Sequence, residues 1–429
     1  MNKPQKNLYV GIDISLRMLD VAFVDDNSKS YMNKKKKSNS YQNNPDGLNT
    51  LIQDIISLCN LHDFTHISFG FEATSNYGFH IPFYLHNEEK LNKFNISIFQ
   101  INAKIIKNFR NVFSEIPKTD KQDSILIARR LMVKKLPPYL KFDPKYFALR
   151  TLTRQRFDLV NKMVSEKSRF LSHLFIKSSS FTQNKVFSTL FGTTITTILT
   201  EFKSIEEIIS YPIEKLIELI IKKSKNKVSN PEEYAKKIKY ISRESYSLNR
   251  VMHDSVNYAL LSSFNHIKFL KKEIKNIDNQ IESHLAMFKN EFNILTSIKG
   301  IGKVFAAGII AEITDINLFK SHSQIAKYAG IIWSIKQSGN FKSKENHLTK
   351  TGNKYLRYYL TQAAQSVSMQ NIDFIPYYKK KSKEAVKHQH KRAILFVARK
   401  LIRVIFSLLK NNKLYQSPKI YKTCVPKSA

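Results

Sequence analysis

Leu8-Tyr9-Val10-Gly11-Ile12-Asp13 is an apolar run that ends on a carboxylate, and Met18-Leu19-Asp20-Val21-Ala22-Phe23-Val24 follows it after a short turn. Two such runs in succession predict a hairpin of two strands with Asp13 at the end of the first. Outward from it, the spacing of Leu48, Leu51, Ile52, Ile55, Ile56 and Leu58 predicts an amphipathic helix over 47–58. His66-Ile67-Ser68-Phe69-Gly70-Phe71-Glu72 predicts another strand that closes on a carboxylate, Asn76 to His86 a short helix opposed by Pro82, Asn95 to Ile101 a strand, and Ala103 to Phe113 a helix. The Lys34–Lys37 run reads as a solvated loop. Strands alternating with helices imply an α/β sheet. Asp13 and Glu72 then stand at the C-terminal ends of strands, where open α/β sheets place their chemistry.

Farther along, Pro117-Lys118-Thr119-Asp120-Lys121-Gln122-Asp123 leads into an apolar, helix-patterned run, Ser124 to Arg129. Residues three apart share a helical face, so Asp120 and Asp123 point the same way. Acids also favour a first helical turn because they complement the helix dipole, and that reading stands beside a catalytic one. Together with Asp13 and Glu72 they make four carboxylates. Four convergent carboxylates can hold two divalent ions, which clamp both oxygens of an in-line phosphoryl displacement.

The 429 residues carry 70 Lys and Arg against 34 Asp and Glu, a formal charge of +36. Such a field favours a polyanion, and the interleaved aromatics suit nucleic acid, whose phosphates supply affinity and whose bases stack. Two cysteines, Cys59 and Cys424, make neither a disulfide framework nor a metal cluster. No apolar run approaches membrane-spanning length, so the expectation is a soluble cytoplasmic protein, associated with the nucleoid when bound to DNA.

Leu136-Pro137-Pro138 marks a boundary, and the reading divides the chain into an α/β domain at 1–140, a helical, coiled-coil middle at 141–290, a helical C-terminal domain at 291–415 and a loose tail at 416–429. In the middle, Leu149, Leu152, Leu159, Met163, Phe170 and Leu174 form one apolar seam, and Ile267, Leu270, Ile274, Ile277 and Ile281 a second. These seams pair with each other or with copies in a second subunit. Ser204 and Asn230 read as helix N-caps. In the last domain, Lys299-Gly300-Ile301-Gly302-Lys303 between two helical patterns looks like a helix-hairpin-helix, with glycines that let backbone approach a phosphate and lysines that add charge. Ser338, a hydroxyl before Gly339 in a basic stretch, reads on its own as a turn.

Val10-Gly11-Ile12-Asp13, Phe71-Glu72-Ala73-Thr74-Ser75-Asn76-Tyr77 and Lys118-Thr119-Asp120-Lys121-Gln122-Asp123 resemble the three catalytic blocks of DEDD-type insertion-sequence transposases (the IS110/IS1111-like group). The C-terminal pattern is similar to theirs as well. Ala329-Gly330 precedes Ser338-Gly339, and Thr349-Lys350-Thr351-Gly352-Asn353-Lys354-Tyr355-Leu356-Arg357 follows, with a departure at Trp333, where the family often has Pro. The resemblance implies an RNase H-like (RuvC-like) N-terminal domain whose metal tetrad is Asp13, Glu72, Asp120 and Asp123, with Mg²⁺ or Mn²⁺ as cofactor. It further implies that Ser338 is a nucleophile toward a DNA phosphate, that the site is composite across a homodimer or tetramer, and that a structured bridge RNA chooses target and donor. Lys118, Lys299, Gly300, Gly302, Lys303, Lys342, Lys350, Asn353, Lys354 and Arg357 are the candidate nucleic-acid contacts. Two other classes stay open. One is a junction-resolving metal nuclease that uses water, in which cleavage survives Ser338→Ala. The other is a non-catalytic nucleic-acid-binding protein, indifferent to Asp13→Asn and Glu72→Gln.

Overall fold

The computed structural model describes residues 6–32, 38–72, 76–112, 119–133, 143–184, 190–333, 337–338, 341–342 and 348–418. The chain divides into two compact units, residues 1–142 and 143–429. Lys118, the Lys34–Lys37 run, the Leu136-Pro137-Pro138 boundary, Cys424 and most of the expected tail lie outside the described residues.

In the first unit, β1 (Asn7–Ile14) and β2 (Met18–Asp25) form the expected hairpin, with Gly11 opposite Ala22. Two short strands, β3 (Ser30–Tyr31) and β4 (Ser40–Gln42), both pair antiparallel with β2. They flank the lysine run and were not expected, because neither is long enough to show an alternating pattern. Helix α1 (Pro45–His62) starts at Asn44, whose side chain accepts from Gly47 N, and ends where Asp63 turns left-handed. β5 (His66–Glu72) lies parallel to β1, and after α2 (His80–Asn87), β6 (Asn95–Ile101) lies parallel to β5. The path across the sheet is β3-β2-β1-β5-β6. Helices α3 (Ala103–Arg110) and α4 (Asp120–Met132) complete the unit.

Strand alternation sorts the core into two faces. Leu8, Val10, Ile12, Ile67, Phe69 and Phe71 pack against Leu51, Ile52 and Ile55 of α1. On the opposite face Tyr9, Ala22 and Val24 meet Ile127, Ala128 and Leu131 of α4.

In the second unit, α5 (Pro144–Lys177) pairs with the long helix Arg250–His284. Leu149 shares a core with Ile281, and Phe170 and Leu174 share one with Leu260 and Ile267, so the two helices run antiparallel. Within one chain the two seams foreseen in the sequence therefore face each other. Arg156 ties the pair by donating to Asp278 at 2.5 Å. Five short helices between Ser179 and Arg243 gather around Phe181, Leu199, Leu216, Ile220 and Ile238. Ser204 and Asn230 cap two of them by accepting from Glu207 N and Glu233 N. At the base of this group the buried Lys177 ammonium donates to Leu199 O at 2.6 Å, to Asn257 Oδ1 at 2.5 Å and to Phe202 O. Burial pulls its pKa down to about 8. The remaining helices, among them Lys303–Ile313, Lys354–Gln370 and Gln389–Asn411, enclose Ala307, Ile310, Tyr359, Leu360, Val397 and Leu401. No helix among the described residues is long and apolar enough to cross a membrane.

Candidate active site

Helix α4 is set on the sheet by two glycines. Gly11 and Gly70 are partners in the β1–β5 register. A Cβ on Gly11 would lie 2.1 Å from Ser124 O and 2.5 Å from Ala128 N, and one on Gly70 would lie 2.8 Å from a Leu131 methyl. Over Gly11 the helix backbone thus rests directly on the strand, an approach that only glycine allows, while over Gly70 the Leu131 side chain fills the space. Two residues on, along the same face of each strand, come Asp13 and Glu72. Thr119 caps α4 by accepting from Gln122 N, so Asp120 and Asp123 open the first turn at that same end of the sheet.

The charges register this convergence. The Asp13 carboxyl is pushed up to about 6, first by burial and then by Asp123 and Asp120. Its Oδ1 accepts from Ile14 N at 3.1 Å, which fixes the group's orientation. Asp123 is ion-paired with Arg110, the last residue of α3, which the sequence did not single out. Nη1 of Arg110 is buried and has no hydrogen-bond partner. Among the described residues no three or more His, Cys, Asp or Glu side chains converge to metal-coordinating distance. Arg110 supplies the compensating charge for Asp123. The donor set nevertheless suits a hard divalent cation: the groups are carboxylate oxygens at one sheet end, and the repulsion that raises the Asp13 pKa is one a cation would relieve.

The second unit carries Ser338 on a short hairpin. Gln337–Ser338 pairs antiparallel with Phe341–Lys342, with Ser338 opposite Phe341. The side chains of Ser338 and Lys342 lie outside the described residues. What is described is the root of their loop. Trp333 bridges Leu348, and Thr349 N donates to Ile332 O at 2.9 Å. Below this, Gly330 (φ +66°) and Gly352 (φ +128°) sit back to back. A Cβ on Gly330 would strike Thr351 O at 2.5 Å, and one on Gly352 would strike Tyr328 O at 2.3 Å. Arg357 Nη1 donates to both Ala329 O, at 2.9 Å, and Lys350 O, at 3.1 Å, and so straps the entering and leaving chains together. Asn353 caps the helix Lys354–Gln370 and donates from Nδ2 to Glu312 Oε2 at 2.6 Å. Both residues, expected to touch nucleic acid, are engaged in building the loop's foundation.

Glu312 is the hub of that foundation. Only 1% of it is exposed. It accepts from Arg154 Nε and Nη2 at 2.7 and 2.9 Å, and Arg150 lies 3.8 Å away. The sequence offered one signal, an acid near the end of the otherwise apolar run Val304–Ile313.

The remaining candidate contacts divide between open and occupied. In the turn between helices Lys289–Thr296 and Lys303–Ile313, Gly300 (φ +106°) presses on the backbone of Ser366 and Val367. Gly302 faces open space, Lys299 is exposed, and Lys303 is ion-paired with Glu282. Lys350 is exposed at φ +50°, and the Lys354 ammonium stands 4.8 Å over the Tyr355 ring.

Comparison with known proteins bears on both units. A DEDD transposase model of the IS110 type, described as "Transposase", matches residues 10–176, and one described as "Transposase IS116/IS110/IS902 family" matches residues 292–379. An uncharacterized 44.8 kDa protein of insertion element IS116 from Streptomyces clavuligerus is 27% identical over 146 residues, 34% of this chain and 36% of that protein. An uncharacterized 43.6 kDa protein of insertion element IS110 from Streptomyces coelicolor is 29% identical over 124 residues, 29% of this chain and 30% of its own length. The pilin gene-inverting protein of Moraxella bovis is 26% identical over 150 residues, 34% of this chain and 46% of its own length. The chain thus spans less than half the length of the curated relatives it matches. The DEDD match implies use of a divalent metal in general.

Proposed function

Because the chain belongs to the IS110 family of DEDD transposases, we propose that it is a DNA transposase or recombinase. In this reading it cuts and rejoins DNA with the carboxylates of its first unit and Ser338 of its second. The observation that carries the reading is the seat of α4 on Gly11 and Gly70, which brings Asp120 and Asp123 to the strand end where Asp13 feels their charge. The strand order, an antiparallel meander followed by two parallel strands, supports an RNase H-like (RuvC-like) fold. The glycine turn before Lys303–Ile313, with Gly302 open, supports a helix-hairpin-helix.

Asp13, Glu72, Asp120 and Asp123 are the residues that would hold two divalent cations, Mg²⁺ or Mn²⁺. Such a pair, when bound, stabilises charge on the attacking and leaving oxygens of a phosphoryl displacement. Asp13 would be one of those ligands, and Arg110 orients the Asp123 carboxylate. The Ser338 hydroxyl loses its proton as its oxygen attacks the DNA phosphorus. A serine–phosphate ester forms, and the bond to the departing deoxyribose oxygen breaks as that oxygen gains a proton. Attack by a DNA hydroxyl on this ester reverses the exchange and rejoins the strand. Inversion in the name of the Moraxella relative supports rejoining over simple cleavage. A structured bridge RNA as guide, and two or four copies of the chain, complete the reading.

The test is a cleavage assay on the element's own junction DNA with Mg²⁺ and the flanking non-coding RNA, resolved on a denaturing protein gel. Labelled DNA that migrates with the protein, and is lost in Ser338→Ala, is expected. Free nicked DNA, unchanged by Ser338→Ala, would overturn the serine step and leave a nuclease that uses water.

A further inference from the structure

Arg392, Phe396, Arg399, Arg403, Phe406 and Lys410 follow one another at alternate spacings of four and three on the helix Gln389–Asn411, so they form a single stripe. Phe396 stacks on Trp333, with ring centres 4.9 Å apart and planes 21° apart. Trp333 is the residue that bridges Leu348 at the root of the Ser338 loop, so the stripe begins at that root. At its other end Phe406 meets the edge of the His322 ring at 6.5 Å.

The stripe's cations are uncompensated. Nη1 of Arg399 is buried and has no hydrogen-bond partner. Burial, and then Arg403, make its positive charge harder to hold than an ordinary arginine's. His322 is held below the usual imidazole range by burial, then by Arg403 and Arg399. Among the described residues no carboxylate pairs with Arg392, Arg399 or Arg403. Elsewhere in the unit comparable guanidinium groups are matched, Arg154 by Glu312 and Arg156 by Asp278. A desolvated guanidinium beside a second one, with no anion, is unfavourable, and a bound anion removes that penalty.

We propose that Arg399, Arg403 and His322 form a binding site for a nucleic-acid phosphodiester beside the root of the Ser338 loop. Guanidinium groups recognise phosphate oxygens with two parallel donors, and among the described residues no carboxylate engages those of Arg399 or Arg403. Arg403 is exposed, so the site opens to the surface, as a continuous strand requires. The proposal rests on the reading of the chain as a nucleic-acid enzyme and adds where in the second unit a backbone phosphate is gripped. Duplex DNA and structured RNA present the same group, and the assay separates them.

The full-length double variant Arg399→Gln/Arg403→Gln is compared with wild type and with Arg399→Lys/Arg403→Lys. Binding to a duplex DNA and to an RNA hairpin is followed by fluorescence anisotropy across a salt series. The Gln variant is expected to lower the slope of log K against log salt by about 2, at roughly 0.9 per phosphate contact on duplex DNA. The Lys variant keeps the slope. The Gln variant's thermal midpoint stays at or above wild type, since it removes a like-charge repulsion. A reduced slope with one nucleic acid alone supports the site and identifies which strand it holds. Weaker binding at an unchanged slope, or no change with either ligand, overturns it while the enzymatic reading stands. Wild-type protein that binds neither nucleic acid overturns both.

Discussion

Gly11→Ala tests whether the seat of α4 governs the chemistry. In a bare strand this change should stabilise by about 0.5–1 kcal/mol, because alanine loses less freedom on folding. Here the new methyl would stand 2.1 Å from Ser124 O, and ordinary van der Waals contact begins at 3.4 Å, so the backbone of α4 must lift by 1.3 Å at that point. Overpacking of this kind costs about 1–3 kcal/mol. The lift falls at Ser124, next to Asp123 and one helical turn from Asp120, and draws both away from Asp13. A misplacement of that size can cost on the order of 100-fold in rate. Gly70→Ala is the control. The atoms nearest its methyl belong to the Leu131 side chain, from 2.8 Å, and that side chain can rotate away near the helix's far end. The expected result is a cleavage rate down by about two orders of magnitude in Gly11→Ala and by less than one in Gly70→Ala. In Gly11→Ala the Asp13 carboxyl, followed by NMR, should also titrate below its wild-type midpoint, because its repulsive neighbours have receded. Wild-type cleavage and an unchanged Asp13 titration in folded Gly11→Ala would refute the reasoning.

Asp13, at about 6 against 3.8 for the free side chain, binds its proton more tightly in the folded state. It therefore favours folding below pH 3.8 and loses that contribution as pH rises through 6. Divalent cations should bind more tightly across the same range and recover the loss, so the difference between melting midpoints with and without Mg²⁺ should widen from pH 5 to 7 in wild type and vanish in Asp13→Asn. Glu312→Gln leaves Arg154 and Arg150 facing a neutral amide. The cost by urea unfolding should be about 3 kcal/mol, at the low end for a broken buried pair because Arg154 keeps some access to water; a loss under 1 kcal/mol would show the hub to be dispensable.

Elements whose pattern is local were readable from the chain alone. Ser204 and Asn230 cap helices where short-range chemistry places them, and β1, β5 and β6 carry apolar runs too long to mistake. The strand-end position of Asp13 and Glu72 followed from the same runs. Roles that depend on distant partners were not readable. Arg154 and Glu312 are 158 positions apart, and nothing at either position announces the other. Asn353 and Arg357 looked like polar groups waiting for a ligand, because the carbonyls and carboxylate they satisfy come from residues 312, 329 and 350. Nothing in the sequence marks Arg110 as the partner of Asp123, thirteen positions on. Heptad spacing could not say whether α5 would find its partner in its own chain, since the same seam serves either pairing.

The strap of Arg357 across Ala329 and Lys350 has a consequence for how this protein can change over time. Trp333 bridges Leu348, so the two ends of the 334–347 segment lie side by side. A segment between ends held together in this way can lengthen without moving them. Doubling such a segment costs only about 0.6 kcal/mol in closure entropy. Mutational drift, insertions and wholesale replacement can therefore remodel the segment that carries Ser338 while the helices beneath it keep their packing.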